Sequence, residues 1–254
     1  MAVKMSHKTD RTGEISYTRY GTPAVIIYYK SNKECLIEFQ DDFKYKCYVT
    51  YCNFKKCSIY NPYDKSYYGV GCLGVGKYNS KSRAISTWCH MLERCYNVSD
   101  DIRQASYEGC TVCDEWLNFQ NFAKWYENNY YECSRKLNLD KDIIIHDNKV
   151  YSPNNCLLVP DRINSLFEKS KAIRGDLPIG VSRYWYDNSK YLAILKIGNR
   201  KSKTIGIYNT PTDAFNAYKK EKEKFIKIIA NDYKNEIPKK TYNILMNYKV
   251  LITD

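Results

Sequence analysis

The stretch LDKDIIIHDNKVYSPNNCLLVPDRIN, residues 139–164, concentrates side chains capable of hydrolytic chemistry. Asp140 offers a carboxylate near the end of one apolar run, and Asn164 offers an amide oxygen in a segment with helical spacing. An acid and an amide so placed could hold one divalent cation, Mg2+ or Mn2+, between them. Such a cation stabilises the charge that builds on a phosphodiester under attack and on its leaving 3′ oxygen. That chemistry also needs a base beside the carboxylate to take a proton from water. Lys141 stands in that place, and an ammonium has no lone pair to offer. His146 follows in the loop, where an exposed turn histidine is the plainer reading. Asn155 lies where an Asn commonly ties a loop by bonding backbone groups. The competing account of the whole set is a structural polar loop.

The elements that must position these groups follow from local pattern. LNLDKDIII (137–145) reads as a strand interrupted by charge, HDNKVYSPNN as a loop with a tight turn at Asp147-Asn148, and CLLV (156–159) as a second strand. Pro160 suits the first turn of a helix and Asp161 its positive start. RINSLFEKS then buries Ile163, Leu166 and Phe167. Two amphipathic helices come earlier. SRAISTWCHMLERCY places Ile85, Trp88, Leu92 and Cys95 on one face, with Ser82 as cap. NFQNFAKWYENNY does the same with Phe119, Phe122, Trp125 and Tyr126, capped by Asn118. Cys110-x-x-Cys113 lies between them, with Cys89, His90 and Cys95 upstream. Tetrahedral zinc wants four such ligands, and a second clean pair is missing. Buried thiols are expected there rather than structural zinc.

The segments TWCHMLERCYN, YEGCTVCDEW and LDKD…YSPNNC…VPDRIN, about residues 80–170, resemble the HNH (His-Me finger) nuclease family, in particular phage-encoded free-standing homing endonucleases. The resemblance implies a ββα-metal unit with Asp140 and Asn164 on the cation. It makes Asp140, Lys141, His146 and Asn155 the candidate catalytic set. Asn155 matches the middle Asn of the family, and Lys141 stands where the family has its general-base His.

From residue 178 the pattern changes. PIGVSRYW, KYLAILKI and KTIGIY read as three strands, with DNS and GNRKS as hairpin turns. A helix begins at Thr210-Pro211-Thr212-Asp213, with Thr210 as cap and Pro211 at the first helical position. GVSR, YLAILK and TIGIYNTPTDAFNAY, within roughly 178–230, resemble the plant ethylene-response-factor (APETALA-type) DNA-binding domain. That family reads the major groove with the exposed face of its sheet. Carried over by position, Arg183, Trp185, Lys196, Arg200 and Lys203 would face DNA.

Charge agrees with this division. The chain of 254 residues carries a net charge of +12. Residues 1–63 hold 10 basic and 6 acidic groups, residues 64–170 hold 13 and 14, and residues 171–254 hold 17 and 8. A basic last third beside a neutral middle suggests that one module holds a polyanion. Residues 15–60 add short β-rich runs, AVIIYY, CLIEF, KYKCYVTY and CSIY, with no chemistry of their own. No apolar run approaches the length of a bilayer span. The polar start lacks a secretory signal, so a cytoplasmic protein is expected, with Tyr, Asn, Lys and Ile usage that fits an AT-rich phage or its bacterial host. Eleven cysteines, an odd number, do not make a disulfide framework.

The expected fold class is therefore α+β. A small β domain (1–63) leads, a degenerate ββα-metal domain with flanking helices (64–170) follows, and a three-stranded antiparallel sheet packed on a helix (171–254) ends the chain. The expected partner is double-stranded DNA, with no membrane, and the expected activity is metal-dependent nicking or cleavage. The alternative is a catalytically inactive nuclease fold, serving as a DNA-binding regulator or an inhibitor of a host defence protein.

Overall fold

A computed structural model describes residues 9–97, 107–167, 175–198 and 201–252. The fold is mixed α+β with several antiparallel sheets. Two compact units form, residues 1–104 with 114–124, and residues 105–113 with 125–254.

The first unit opens with a four-stranded meander, β1 (Ile15–Tyr17), β2 (Pro23–Ser31), β3 (Glu34–Phe39) and β4 (Lys46–Val49), paired in that order. Alternation turns Ala24, Ile26, Ile37 and Phe39 onto one face, where Phe54 and Ile59 cover them. Phe54 sits on a short helix, α1 (Tyr51–Lys55), which begins at the last residue of the expected strand KYKCYVTY. The Thr50 hydroxyl accepts the Asn53 N–H at 3.2 Å, and this cap turns the chain into a helix at the end of β4. CSIY forms no strand; Ile59 instead packs under the sheet.

Helix α2 (Ala84–Tyr96) buries Ala84, Trp88, Met91 and Leu92. Its expected cap is absent: Arg83 occupies the N-cap position without a side-chain capping bond, while the Ser82 hydroxyl accepts from the Asn79 N–H. The Trp88 indole N–H donates to the Trp116 carbonyl at 2.7 Å, on the short helix α3 (Asp114–Leu117). Helix α4 (Phe119–Asn129) begins with the Asn118 carboxamide accepting the Gln120 N–H, as its sequence suggests. The glycine-rich segment before α2 is packed rather than loose. A Cβ on Gly71 would meet Leu92 at 2.6 Å and Trp88 at 2.9 Å.

In the second unit, β5 (Thr111–Val112) pairs in parallel with β7 (Val150–Tyr151), and β6 (Leu137–Asp140) pairs antiparallel with β8 (Leu157–Pro160). Helix α5 (Asp161–Asn164) follows β8 directly, with Pro160 at its N-cap. Strands β9 (Val181–Tyr184), β10 (Asp187–Gly198) and β11 (Lys201–Tyr208) form an antiparallel sheet in the order β11-β10-β9. Helix α6 (Pro211–Asp232) crosses all three strands, and α7 (Lys239–Asn247) packs on it. The Thr210 hydroxyl caps α6 by accepting the Asp213 N–H at 3.1 Å, as the sequence predicts.

One core joins the hairpin and the C-terminal sheet. Ile143, Val159, Ile163 and Leu166 pack in the same cluster as Val181, Leu195, Phe215 and Ile226. Burying each such side chain stabilises by about 1.5–3 kcal/mol. The change of sequence character near residue 171 is thus not a break in the core. Arg162 fastens the join. Its Nη2 donates to the Ile197 carbonyl at 2.6 Å, and Gly198, at φ +98, leaves the guanidinium room that a Cβ would take.

Candidate functional site

Strand β6 ends where the Asp140 carboxylate takes over from the ladder. Its Oδ1 accepts the N–H groups of Asp142 and Ile143, each at 2.8 Å, so the chain turns and Ile143 drops into the core. Asp140 is only 8% exposed. Burial pushes its pKa up to about 6, and the Asp142 charge adds to the rise, while the two N–H bonds and the Lys141 ammonium partly restrain it. Cys156 lies close enough to feel that charge; burial foremost pushes its thiol up to about 12.

Lys141 is buried, and each donor of its ammonium is used. Nζ donates to Asp142 Oδ1 at 2.8 Å, to Asp142 Oδ2 at 2.9 Å and to the Asn148 carbonyl at 2.7 Å. Asn148 answers with Nδ2 donating to the Lys141 carbonyl at 2.9 Å and to the Val150 carbonyl at 2.8 Å. Its Oδ1 accepts the Val150 N–H at 3.0 Å. Lysine and asparagine thereby close a reciprocal knot across the loop, with Asp147 at φ +52 making the bend. The position expected to abstract a proton is occupied by a group that gives three.

The loop-tying expected of Asn155 is done by Asn148. Asn155 lies in the turn before β8, its backbone N–H donating to the Ser152 carbonyl at 3.2 Å, and its side chain makes no hydrogen bond among the described residues. His146 is half-buried, 4.9 Å from the Tyr248 ring between centroids, with Nδ1 3.4 Å from the Tyr248 hydroxyl. It is thus engaged with the segment after α7.

The register brings Asp140 and α5 to one side of the hairpin. Asp140 pairs with Leu157 and Asn138 with Val159, so these four side chains share a face. Val159 packs in the cluster that holds Ile163 of α5. Asn164 closes α5 half-buried, with its backbone carbonyl accepting the Phe167 N–H at 3.0 Å. Neither its amide group nor Asp140 Oδ2 has a hydrogen-bond partner among the described residues. A carboxylate and an amide oxygen are hard donors, which suit Mg2+ or Mn2+ with most of its water retained. Among the described residues no three His, Cys, Asp or Glu side chains group to hold a metal. Cys110 and Cys113 flank β5 in the second unit, whereas Cys89, His90 and Cys95 belong to α2 in the first.

The residues expected to face DNA do not share one face of the C-terminal sheet. Lys203 pairs with Leu195, a core residue on the α6 side, and its Nζ donates to Glu221 of α6 at 2.7 Å. That bond holds the Glu221 carboxyl below the usual range. Arg183 pairs with Tyr191, again on the α6 side, with its guanidinium 5.7 Å from that ring and Nη1 donating to the Asn188 carbonyl at 3.1 Å. Lys196, exposed and paired with Ser202, lies on the opposite face. Arg200 lies outside the described residues.

Trp185 is at the tip of the first hairpin, and this turn differs from the expected one. Tyr184 pairs with Asp187, so Trp185 and Tyr186 are the turn, and DNS belongs to the start of β10. Asp187 Oδ1 accepts from the Ser189 N–H at 2.9 Å and hydroxyl at 2.6 Å, which bends the strand just inside the tip. The sequence marked Asn148 as a turn residue but assigned no site role to Asp142, Asn148, Tyr184 or Tyr186. For Asn148 a signal was present in the Asp-Asn turn, and for the tyrosines in three consecutive aromatics between polar residues.

No helix of the described residues is long and apolar enough to cross a membrane. Compared with protein-family models, curated proteins and solved structures, the chain matches none.

Proposed function

We propose that this chain is a DNA-binding endonuclease of the HNH (His-Me finger) type, cutting or nicking duplex DNA with one Mg2+ or Mn2+ ion. One observation carries the reading: a buried carboxylate at a strand end and an amide on the following helix, on the same side of the hairpin, each with an oxygen uncommitted among the described residues. Asp140 and Asn164 would hold the ion. When bound, the ion would offset charge building on the scissile phosphate and its leaving oxygen. Asp140 is aimed by the two backbone N–H groups on its Oδ1, leaving Oδ2 for that task. The Lys141–Asp142–Asn148 knot holds the loop that aims it. The basic last third of the chain supplies affinity for the polyanion, and this affinity falls with salt. With Lys141 donating its protons, no base accelerates the step from that position, and turnover is slow.

A plasmid-nicking assay with Mg2+ or Mn2+ tests this. Wild type should nick and Asp140→Ala and Asn164→Ala should fall to background; equal background from all three ends the enzymatic reading.

The Lys141 knot favours a second reading, a nuclease fold that binds DNA, or a host protein, without cutting. Salt-sensitive, metal-independent DNA binding with no nicking would select it.

A further inference from the structure

We infer that the Trp185–Tyr186 tip is a stacking platform for unpaired nucleobases, so that the preferred DNA is distorted or locally single-stranded rather than an unbroken duplex. This rests on the reading of the C-terminal segment as a DNA binder.

The residue types at the tip are the first argument. Turn positions favour Gly, Asn, Asp, Pro and Ser, each for a conformational reason, and neither Trp nor Tyr has one. Neither ring makes a hydrogen bond that shapes this turn, and the side-chain bonds next to it are those of the Asp187 carboxylate to Ser189, just inside the strand. Neither ring is packed into the core. The second argument is exposure. Trp185 is 68% exposed and Tyr186 79%, the two most exposed large apolar side chains among the described residues. Leaving such rings in water forgoes the stabilisation that burial brings.

Third, the rings are already arranged. Tyr184, Trp185 and Tyr186 contact one another, with centroids 5.2, 5.6 and 5.6 Å apart and planes inclined by 50–56°. A packed trio loses less side-chain entropy on binding than three separate rings would. Fourth, the surroundings select a charged partner with flat apolar faces. Arg183 and Lys190 flank the tip, and residues 171–254 carry 17 basic against 8 acidic groups. A polyanion whose bases are unstacked offers both features at once. In a continuous duplex the base faces are covered by their neighbours, and the rings find only edges.

The test uses the full chain and two fluorescent DNAs of one length and sequence context, one fully paired and one with a central three-nucleotide bubble. Fluorescence anisotropy at fixed salt should give about tenfold tighter binding to the bubble, as expected for one added aromatic–base stack. A Trp185→Ala/Tyr186→Ala double variant should lose that preference while holding the paired duplex within about twofold of wild type. Trp185→Phe should keep the preference. Equal wild-type affinity for the two DNAs overturns the inference and leaves the DNA-binding reading intact. So does a preference that survives in the double variant, or a double variant weakened equally on both DNAs. Binding to phosphatidylserine vesicles that the double variant loses, with no difference between the DNAs, assigns the tip to a lipid surface instead. Binding to neither DNA overturns the underlying reading and this inference together.

Discussion

Lys141 is 7% exposed, whereas Trp185 is 68% exposed. Each inverts the ordinary placement of its residue type, and the two regions do so for opposite reasons. At the Asp140 loop, a charge can be buried because every donor of its ammonium meets an oxygen of the same loop. At the hairpin tip, rings stay in water because nothing among the described residues covers them. The difference teaches where to look for a partner. A buried polar knot satisfied from within is committed to its own architecture, and its remaining valence lies in the few atoms left over, here Asp140 Oδ2 and the Asn164 amide. An exposed apolar tip is committed to something outside.

The sharpest way to break this comparison is to remove one group from each region and measure unfolding. Asn148→Ala strips bonds from the Lys141 carbonyl and from both the N–H and the carbonyl of Val150. Leaving the buried Lys141 carbonyl unpaired, and the part-buried Val150 groups to water, should cost about 2 kcal/mol in a denaturant titration. Trp185→Ala should change stability by less than about 0.5 kcal/mol. Equal costs would dissolve the distinction.

Acidity sharpens it further. Burial raises the Asp140 pKa to about 6, above its value in an unfolded chain. The folded protein therefore holds that proton to higher pH than the unfolded one. Stability from this group is full below the unfolded value near 4, and it is lost as pH rises through 6. Asp140→Asn should flatten that part of the melting-temperature profile. Mg2+ needs the ionised carboxylate, so stabilisation by added Mg2+ should be marked at pH 7.5 and nearly absent at pH 5. A wild-type profile without this slope would show Asp140 to be better solvated than its burial implies.

Smaller effects belong to the surface. Lys203 reaches Glu221 in the open, with its side chain 55% exposed, so Glu221→Ala should cost no more than about 1 kcal/mol. The same change frees Lys203, and the salt dependence of DNA binding reads whether it then reaches a phosphate. Thiol labelling at pH 8 separates interior from surface most gently. Cys52 and Cys57, both exposed, should react first, and Cys156, buried with its thiol pushed up to about 12, should be protected until the chain unfolds.

Much of the local structure was readable along the chain. The Thr210 cap, the three C-terminal strands, the helix stripes around Trp88 and Phe122, and the hairpin at Asp140 all announced themselves by periodicity or by capping residues. The missed elements were short or context-dependent. Helix α1 is five residues long, too short for a helical stripe, and exists because Thr50 caps it and Phe54 finds a core. The hairpin turn moved by two residues because Asp187 bonds Ser189 within the strand instead of forming the turn itself.

The candidate site was readable as a set of residue types but not as a set of roles. Asn148 and Asn155 are the same residue in the same loop, and spacing cannot say which one meets the Lys141 and Val150 backbones. A basic strand residue likewise declares its charge but not its face, which the register decided for Lys203 and Lys196.

By itself, the sequence determined composition, charge gradient, the order of the longer elements and the presence of an acid and an amide flanking an Asn-rich loop, because these depend on residues near one another in the chain. Only the tertiary structure decided that the Lys141 ammonium is satisfied three times over, that one core joins the hairpin to the C-terminal sheet, and that two aromatic rings are left in water. Those outcomes depend on register and on which distant groups exclude solvent, and neither quantity is written in any single segment.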